Sequence, residues 1–220
     1  MIFSEFTLIV EALKEHQVIK KVIMPYSFKS LSSFISDCET VCTEQFPISI
    51  DFGHHFTDVK KGVFCFSPKL LYSHKIIIVE ISSLQSFADR FAIHQLTLKN
   101  CRFTDESTIA LCDFIKFNND LTLKDFSFCQ LDEKSISKII NVIWSSSYLK
   151  TVDLSHIGIG FKFLLNLFER YSTHKSPPKI EIFAHHLDFE HGVICFSPER
   201  STQITAEEIS RLQSFVKTIV

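Results

Sequence analysis

Glycine and proline are scarce in this chain, with 5 and 6 among 220 residues. So few turn-formers disfavour a sandwich or barrel built on many tight turns. The chain lacks any apolar run of the roughly 18 residues that a membrane-crossing helix needs. Its first residues, Met1-Ile-Phe-Ser-Glu5, lack the basic start of a secretory signal. An Asn-x-Ser/Thr acceptor is missing too. Charge of one sign is also scarce: the net charge is -2, and the basic residues form nothing denser than pairs such as Lys20-Lys21. That excludes the electrostatic footprint of a nucleic-acid binder. Neither nucleic acid nor a membrane is therefore expected as a partner.

The signatures of chemistry are equally sparse. There is no G-x-S-x-G, G-x-G-x-x-G or G-x-x-x-x-G-K-[ST], so no nucleophile elbow or phosphate-cradling loop is encoded. No enzyme activity and no cofactor are expected. The 7 cysteines are odd in number, scattered, and free of any C-x-x-C pair. Such usage fits buried free thiols in a reducing compartment, and a cytoplasmic location is expected. Cys38 and Cys42 lie one helical turn apart and are expected to line a buried helix face. Asp105, Glu106, Asp132 and Glu133 cluster where helices should start, the place where acids favour the positive helix end.

Hydrophobic residues, by contrast, make up 45% of the chain and charged residues 22%, with 23 phenylalanines. This is a globular composition with an aromatic core. Internal repetition organises it. Gly62-Val-Phe-Cys-Phe-Ser-Pro68 recurs as Gly192-Val-Ile-Cys-Phe-Ser-Pro198, and Leu84-Gln-Ser-Phe87 recurs as Leu212-Gln-Ser-Phe215. Residues 28–87 and 161–215 read as two copies of one block. His54-His55 and Cys65 recur as His185-His186 and Cys195, with His191 added. His and Cys are zinc-type donors. Adjacent histidines in an extended segment face opposite ways, however, and duplication alone explains the recurrence. No metal site is assigned.

A shorter period lies between the copies. Leu96-Thr-Leu98-Lys-Asn-Cys101-Arg-Phe103, Leu121-Thr-Leu123-Lys-Asp-Phe126-Ser-Phe128 and Val152-Asp-Leu154-Ser-His-Ile157-Gly-Ile159 share one apolar pattern. The first part of each alternates as a half-buried strand does. A helical period follows: Ile109, Cys112 and Ile115, then Ile136, Ile139, Ile140 and Ile143, then Phe161, Leu164, Leu165 and Phe168.

This pattern resembles the leucine-rich repeat of the ribonuclease-inhibitor subfamily, in degenerate form. Ile93, Leu96, Leu98, Cys101 and Phe103 fill its L-x-x-L-x-L-x-x-N/C-x-L frame, as do Leu149, Val152, Leu154, Ile157 and Ile159. Phe126 and Ile157 replace the Asn/Cys of the frame. The resemblance implies an α/β leucine-rich-repeat solenoid, with parallel strands on a concave face and helices on a convex one. It predicts one domain over 1–220 of about six units, with room for more repeats beyond. Strands are expected to start near 21, 48, 94, 120, 150 and 179, helices to follow, and an extra helix to cover 4–16. Thr205-Ala-Glu-Glu208 reads as a capping box. The two GVxCFSP segments read as insertions between strand and helix, with Val63, Phe64, Phe66 and Pro68 forming an apolar loop over the core edge.

A non-enzymatic scaffold for a protein partner follows from the resemblance. The expected partner-binding residues are the alternate strand positions Asp51, Thr97, Lys99, Thr122, Lys124, Asp153, Glu181 and Phe183. Two other readings stand beside it: self-association through the C-terminal end, and metal binding through the duplicated His/Cys segments.

Overall fold

The computed structural model describes residues 21–23, 30–42, 49–51, 54–69, 73–146, 151–154, 157, 163, 165–166, 179–182, 185–188, 193–195, 207 and 210–211. In chain order the strands are β1 (Lys21–Ile23), β2 (Ser49–Asp51), β3 (Phe56–Asp58), β4 (Val63–Phe66), β5 (His74–Ile76), β6 (Gln95–Leu98), β7 (Cys101–Phe103), β8 (Leu123–Asp125), β9 (Thr151–Asp153), β10 (Lys179–Ile182), β11 (His185–Asp188) and β12 (Val193–Cys195). The helices are α1 (Leu31–Val41), α2 (Ile78–Arg90), α3 (Asp105–Phe117) and α4 (Glu133–Ser145). The expected helix at 4–16 and the 205–208 capping box lie outside the described residues, apart from helical Glu207.

The fold is mixed α/β. Ten strands form one sheet in the order β1-β2-β3-β4-β6-β8-β9-β10-β11-β12, and β5 pairs with β7 in a second, two-stranded parallel sheet. Among the described residues only β3 and β11 run against their neighbours; the other contacts of the large sheet are parallel. One constant step along the chain separates four of the parallel pairs: Val22 with Ile50, Leu96 with Lys124, Lys124 with Val152, and Val152 with Ile180. Helices α1 to α4 pack each against the next. The connection between parallel strands must cross over, and a helix does this while covering the sheet. All six expected strand starts fall on or close to observed strands.

Three expectations are corrected. The GVxCFSP segments are not loops inserted outside the sheet. In the first copy β3 returns antiparallel and β4 re-enters the sheet beside β6, with Phe64 opposite Leu96. The alternation of half-buried Val63 and Cys65 with buried Phe64 and Phe66 is that of a strand with one face in the core. The second copy repeats the pairing in the same register: Ile50–Thr57–Phe64 becomes Ile180–Leu187–Ile194. Gly62 makes the first hairpin fit. Its φ of +63° is left-handed, and a Cβ there would meet the His94 ring and approach the Ala92 carbonyl to 2.8 Å.

The second correction concerns the frame of β8. Local alternation assigns Leu121 and Leu123 to the core and Lys124 to the outside. The ladder instead sets Lys124 between Leu96 and Val152, so Lys124 takes the core position and is fully buried. Leu121 and Phe126 are buried as well. Backbone pairing overrides the local apolar alternation, because a slip of one residue would invert every side chain of the strand. Ile109 also departs from its expected role: it is 50% exposed, whereas Cys112, Ile115 and all four isoleucines of α4 are buried.

Local chemistry starts the helices. Ser30 accepts from the Ser33 N–H at 3.1 Å, Thr104 from Ser107 at 3.2 Å, and Asp132 from Ser135 at 2.7 Å. Asp105, Glu106 and Glu133 occupy first turns, as expected. Helix α2 begins at Ile77, which offers no side-chain oxygen. Glu80 replaces it. Its carboxylate accepts from the Ile77 N–H at 3.2 Å, from the Leu31 N–H of α1 at 3.0 Å, and from His74 Nε2–H of β5 at 2.8 Å. One buried carboxylate thus closes two helix starts and a strand. Around it, Phe34, Phe64, Phe66 and Phe87 stack with ring centroids 5.2 to 6.0 Å apart along the chain of contacts.

Burial opposes ionisation of Glu80, yet its hydrogen bonds with His74, Ile77 and Ser32 and the His74 charge hold its pKa below the usual 4.5. Its contribution is therefore full above about pH 4.5 and is lost as pH falls through the lower folded value. Glu80→Ala strands three backbone N–H groups, those of Leu31, Ser32 and Ile77, and should cost about 2–4 kcal/mol in urea unfolding near neutral pH. Glu80→Gln should cost less.

Candidate functional site

The register that buries one set of strand residues turns the alternate set to the other face. Ile23, Asp51, Phe56, Cys65, Thr97, Asp125, Asp153 and Glu181 form one row, each the Cα partner of the next. Side chains directly opposite on neighbouring strands share a face and interact. Ile23 is exposed, and Asp51, Phe56, Cys65, Thr97, Asp125 and Asp153 are half-buried, whereas Ile50, Phe64, Leu96 and Val152 in the adjoining row are fully buried. The row marks a sheet face that side chains of the core do not fill.

Of the expected partner-binding residues, the structure brings Asp51, Thr97, Asp153 and the register position of Glu181 into this row. Lys99 lies just past β6 and joins it through an ion pair, Nζ to Asp125 Oδ2 at 2.7 Å. Burial acts to lower the Lys99 pKa, but the hydrogen bond and charge of Asp125, with Asp153 behind it, raise it overall. Thr122 stands before β8, half-buried, and its hydroxyl donates to the His94 carbonyl at 3.2 Å. Lys124 does not belong to the face, since it points into the core. Phe183 lies outside the described residues.

Asp125 is the residue that sequence reasoning missed. The local alternation of β8 hid it, although it stands one repeat step after Thr97 and one before Asp153. Its carboxylate serves twice: Oδ2 pairs with Lys99, and Oδ1 accepts from the Ser127 N–H at 3.0 Å. Asp51 is met by Lys21 at 3.2 Å. The face thus carries acids in register beside the apolar Ile23 and Phe56, and Lys21 and Lys99 answer part of their charge. Asp125, Asp153 and the Glu181 position stand directly opposite one another across β8, β9 and β10, and like charges so placed repel.

The arrangement offers little for covalent chemistry. Burial pushes the Cys65 thiol up to about 11, against the pull of Lys99, so it is a poor nucleophile at neutral pH. Cys38 and Cys42 are both fully buried, in line with their spacing. The two histidines of the first copy separate as expected of an extended pair, with His54 exposed and His55 only 3% exposed. The His55 ring stacks on Phe66 at 4.7 Å, and its Nδ1 accepts from the Ser67 N–H at 3.2 Å. That nitrogen is already committed to the backbone. No group of three or more His, Cys, Asp or Glu able to hold a metal occurs among the described residues. None of the helices found in those residues is long and apolar enough to cross a membrane.

Burial, followed by the charge of His54, lowers the His55 pKa from 6.5 to about 4. Above pH 6.5 the ring is neutral folded or unfolded. As pH falls from 6.5 to about 4 only the unfolded chain takes up the proton, so stability drops by about 3 kcal/mol and then levels. His55→Gln should flatten this slope in urea unfolding measured across that window, whatever its effect on absolute stability. No protein-family model and no curated protein matches this sequence.

Proposed function

We propose that this chain is a degenerate leucine-rich-repeat solenoid of the ribonuclease-inhibitor type that acts as a non-enzymatic scaffold and binds a protein partner on the open face of its sheet. The observation that carries the reading is the constant sequence step between parallel strands, with neighbouring helices packed in the same order. A strand–helix unit of this size cannot bury its apolar face alone, and stacking similar units does so. The step falls within the unit length of leucine-rich repeats, the family that the sequence pattern resembles. The binding surface is the row through Asp51, Thr97, Asp125 and Asp153, with Lys99 and the Glu181 position beside it. Polar strand positions held rigidly by a parallel ladder supply a preorganised surface, which lowers the ordering cost of association.

Two face substitutions, Thr97→Arg with Asp153→Arg, make the row more positive by three charges without entering the core. A control pair on exposed helix positions, Asp89→Arg with Asp113→Arg, changes charge by a similar amount elsewhere. Affinity capture from source-cell lysate with quantitative mass spectrometry should find partners that bind the native chain and the helix variant alike. Their recovery should fall at least about tenfold with the face variant, corresponding to roughly 1.4 kcal/mol or more of lost binding. Equal recovery by all three proteins would remove the open face as the binding surface.

A further inference from the structure

We propose that Lys124 is a proton-operated release in the sheet: when its amine takes up a proton, the side chain leaves the core and β8 loosens from β6 and β9. This device is independent of what the open face binds.

The geometry comes first. Along the core-facing row, Ile50, Phe64, Leu96 and Val152 are fully buried apolar residues, and Lys124 stands between the last two. Its side chain is fully buried and Nζ has no hydrogen-bond partner. A buried lysine with no acceptor is costly when charged, and a buried polar atom left unpaired calls for an explanation.

Two further unpaired polar atoms lie near β6 and β8. Three buried side-chain polar atoms lack partners among the described residues: Lys124 Nζ, Ser127 Oγ and Asn100 Oδ1. Asn100 and Ser127 lie in the seam just past the ends of β6 and β8, and Lys124 stands in the middle of β8 beside it. Two left-handed non-glycine residues lie in the same seam, Asn100 at φ +53° and Phe128 at φ +60°. Across it, the Asn100 N–H reaches the Ser127 carbonyl at a long 3.3 Å. Strained backbone and unsatisfied polar atoms gather where a structure is built to open. β8 itself is a short strand, Leu123–Asp125.

The trigger follows from the surroundings. Leu96 and Val152 flank Lys124 on the neighbouring strands, and Cys112 of α3 is the titratable group whose charge reaches the amine. Cys112 in turn lies in the fields of Asp113 and Lys116 on α3 and Lys138 on α4. Burial lowers the amine from 10.5 to about 7, and Cys112 opposes that only in part. Above about pH 10.5 the amine is neutral in folded and unfolded chains. As pH falls toward about 7 only the unfolded or opened chain is protonated, so the open form gains population. Near neutral pH the native amine itself begins to charge, which it can do only by reaching water. β8 carries Asp125, so its release moves an acid of the open face and the Lys99 pair with it.

Hydrogen exchange of the whole chain at about pH 6.5 and about pH 9, corrected for the intrinsic pH dependence of exchange, tests this. The amides of 95–104 and 121–132 should lose protection on the order of 70-fold more at the lower pH in the native protein. Lys124→Met keeps the unbranched stem without the amine, and should show equal protection at both values and a higher melting temperature. Lys124→Leu serves the same purpose if the methionine packs poorly. Seam protection that does not change with pH in the native chain overturns the proposal, and that arm needs no variant. An unchanged pH dependence in the lysine variants overturns it too, and assigns the effect to another group. Lost protection spread evenly over β3, β4 and α1 would point to global unfolding and likewise count against it.

Discussion

The parallel backbone ladder decides which side of each strand meets the helices, and most other features of the protein follow from it. Pairing Leu96 with Lys124 and Lys124 with Val152 locks one repeating step into the sheet. Once that step is set, side chains cannot choose their faces one by one. The ladder puts Phe64, Leu96 and Val152 into one buried row and Cys65, Thr97 and Asp153 into the adjoining half-buried one. It also forces a lysine into the core and an aspartate onto the open face in the same strand.

Glu80 shows how neighbouring units are joined once the ladder exists. Helix ends leave N–H groups without intrahelical partners. In α1, α3 and α4 a local Ser, Thr or Asp answers them. At α2 the answer comes from a carboxylate that also reaches α1 and β5. Because Glu80 is buried, its partners must all be present, and removing any of them leaves charge or N–H groups uncompensated. The helix layer is thereby tied to the two-stranded β5–β7 sheet.

The two lysines, Lys99 and Lys124, differ in their energetics. On the open face, Lys99 and Asp125 pair at 2.7 Å where water still screens part of their charge, so the pair gives direction more than stability. In the core, Lys124 is fully buried and its Nζ has no hydrogen-bond partner, so it costs stability outright. The open face tolerates the first arrangement because its strand positions are only half-buried. The second has no structural benefit in a leucine-like row, which is why it reads as a device and not as packing.

Short-range signals were enough to place the elements and their spacing. Alternation at Leu96-Thr-Leu98 and Val152-Asp-Leu154, helical periods at Ile136 to Ile143, and caps at Thr104 and Asp132 act over a few residues, and their elements formed where expected. The likeness of the two blocks was also legible, since it is written in identical residues. Features that depend on partners distant in the chain were settled only by the folded sheet. The 62–68 segment is a strand because β3 and β6 flank it, which no local pattern could declare. The frame of β8 was ambiguous locally, as Leu121 and Leu123 alternate as convincingly as Lys124 and Phe126 bracket the core. Hydrogen bonding to β6 on one side and β9 on the other, each a full repeat away, resolved it. Four of the expected face residues, Asp51, Thr97, Lys99 and Asp153, kept their place because their strands were framed correctly. Asp125 replaced Lys124 because a side chain's face is a property of the ladder, and the ladder exists only when the strands have met.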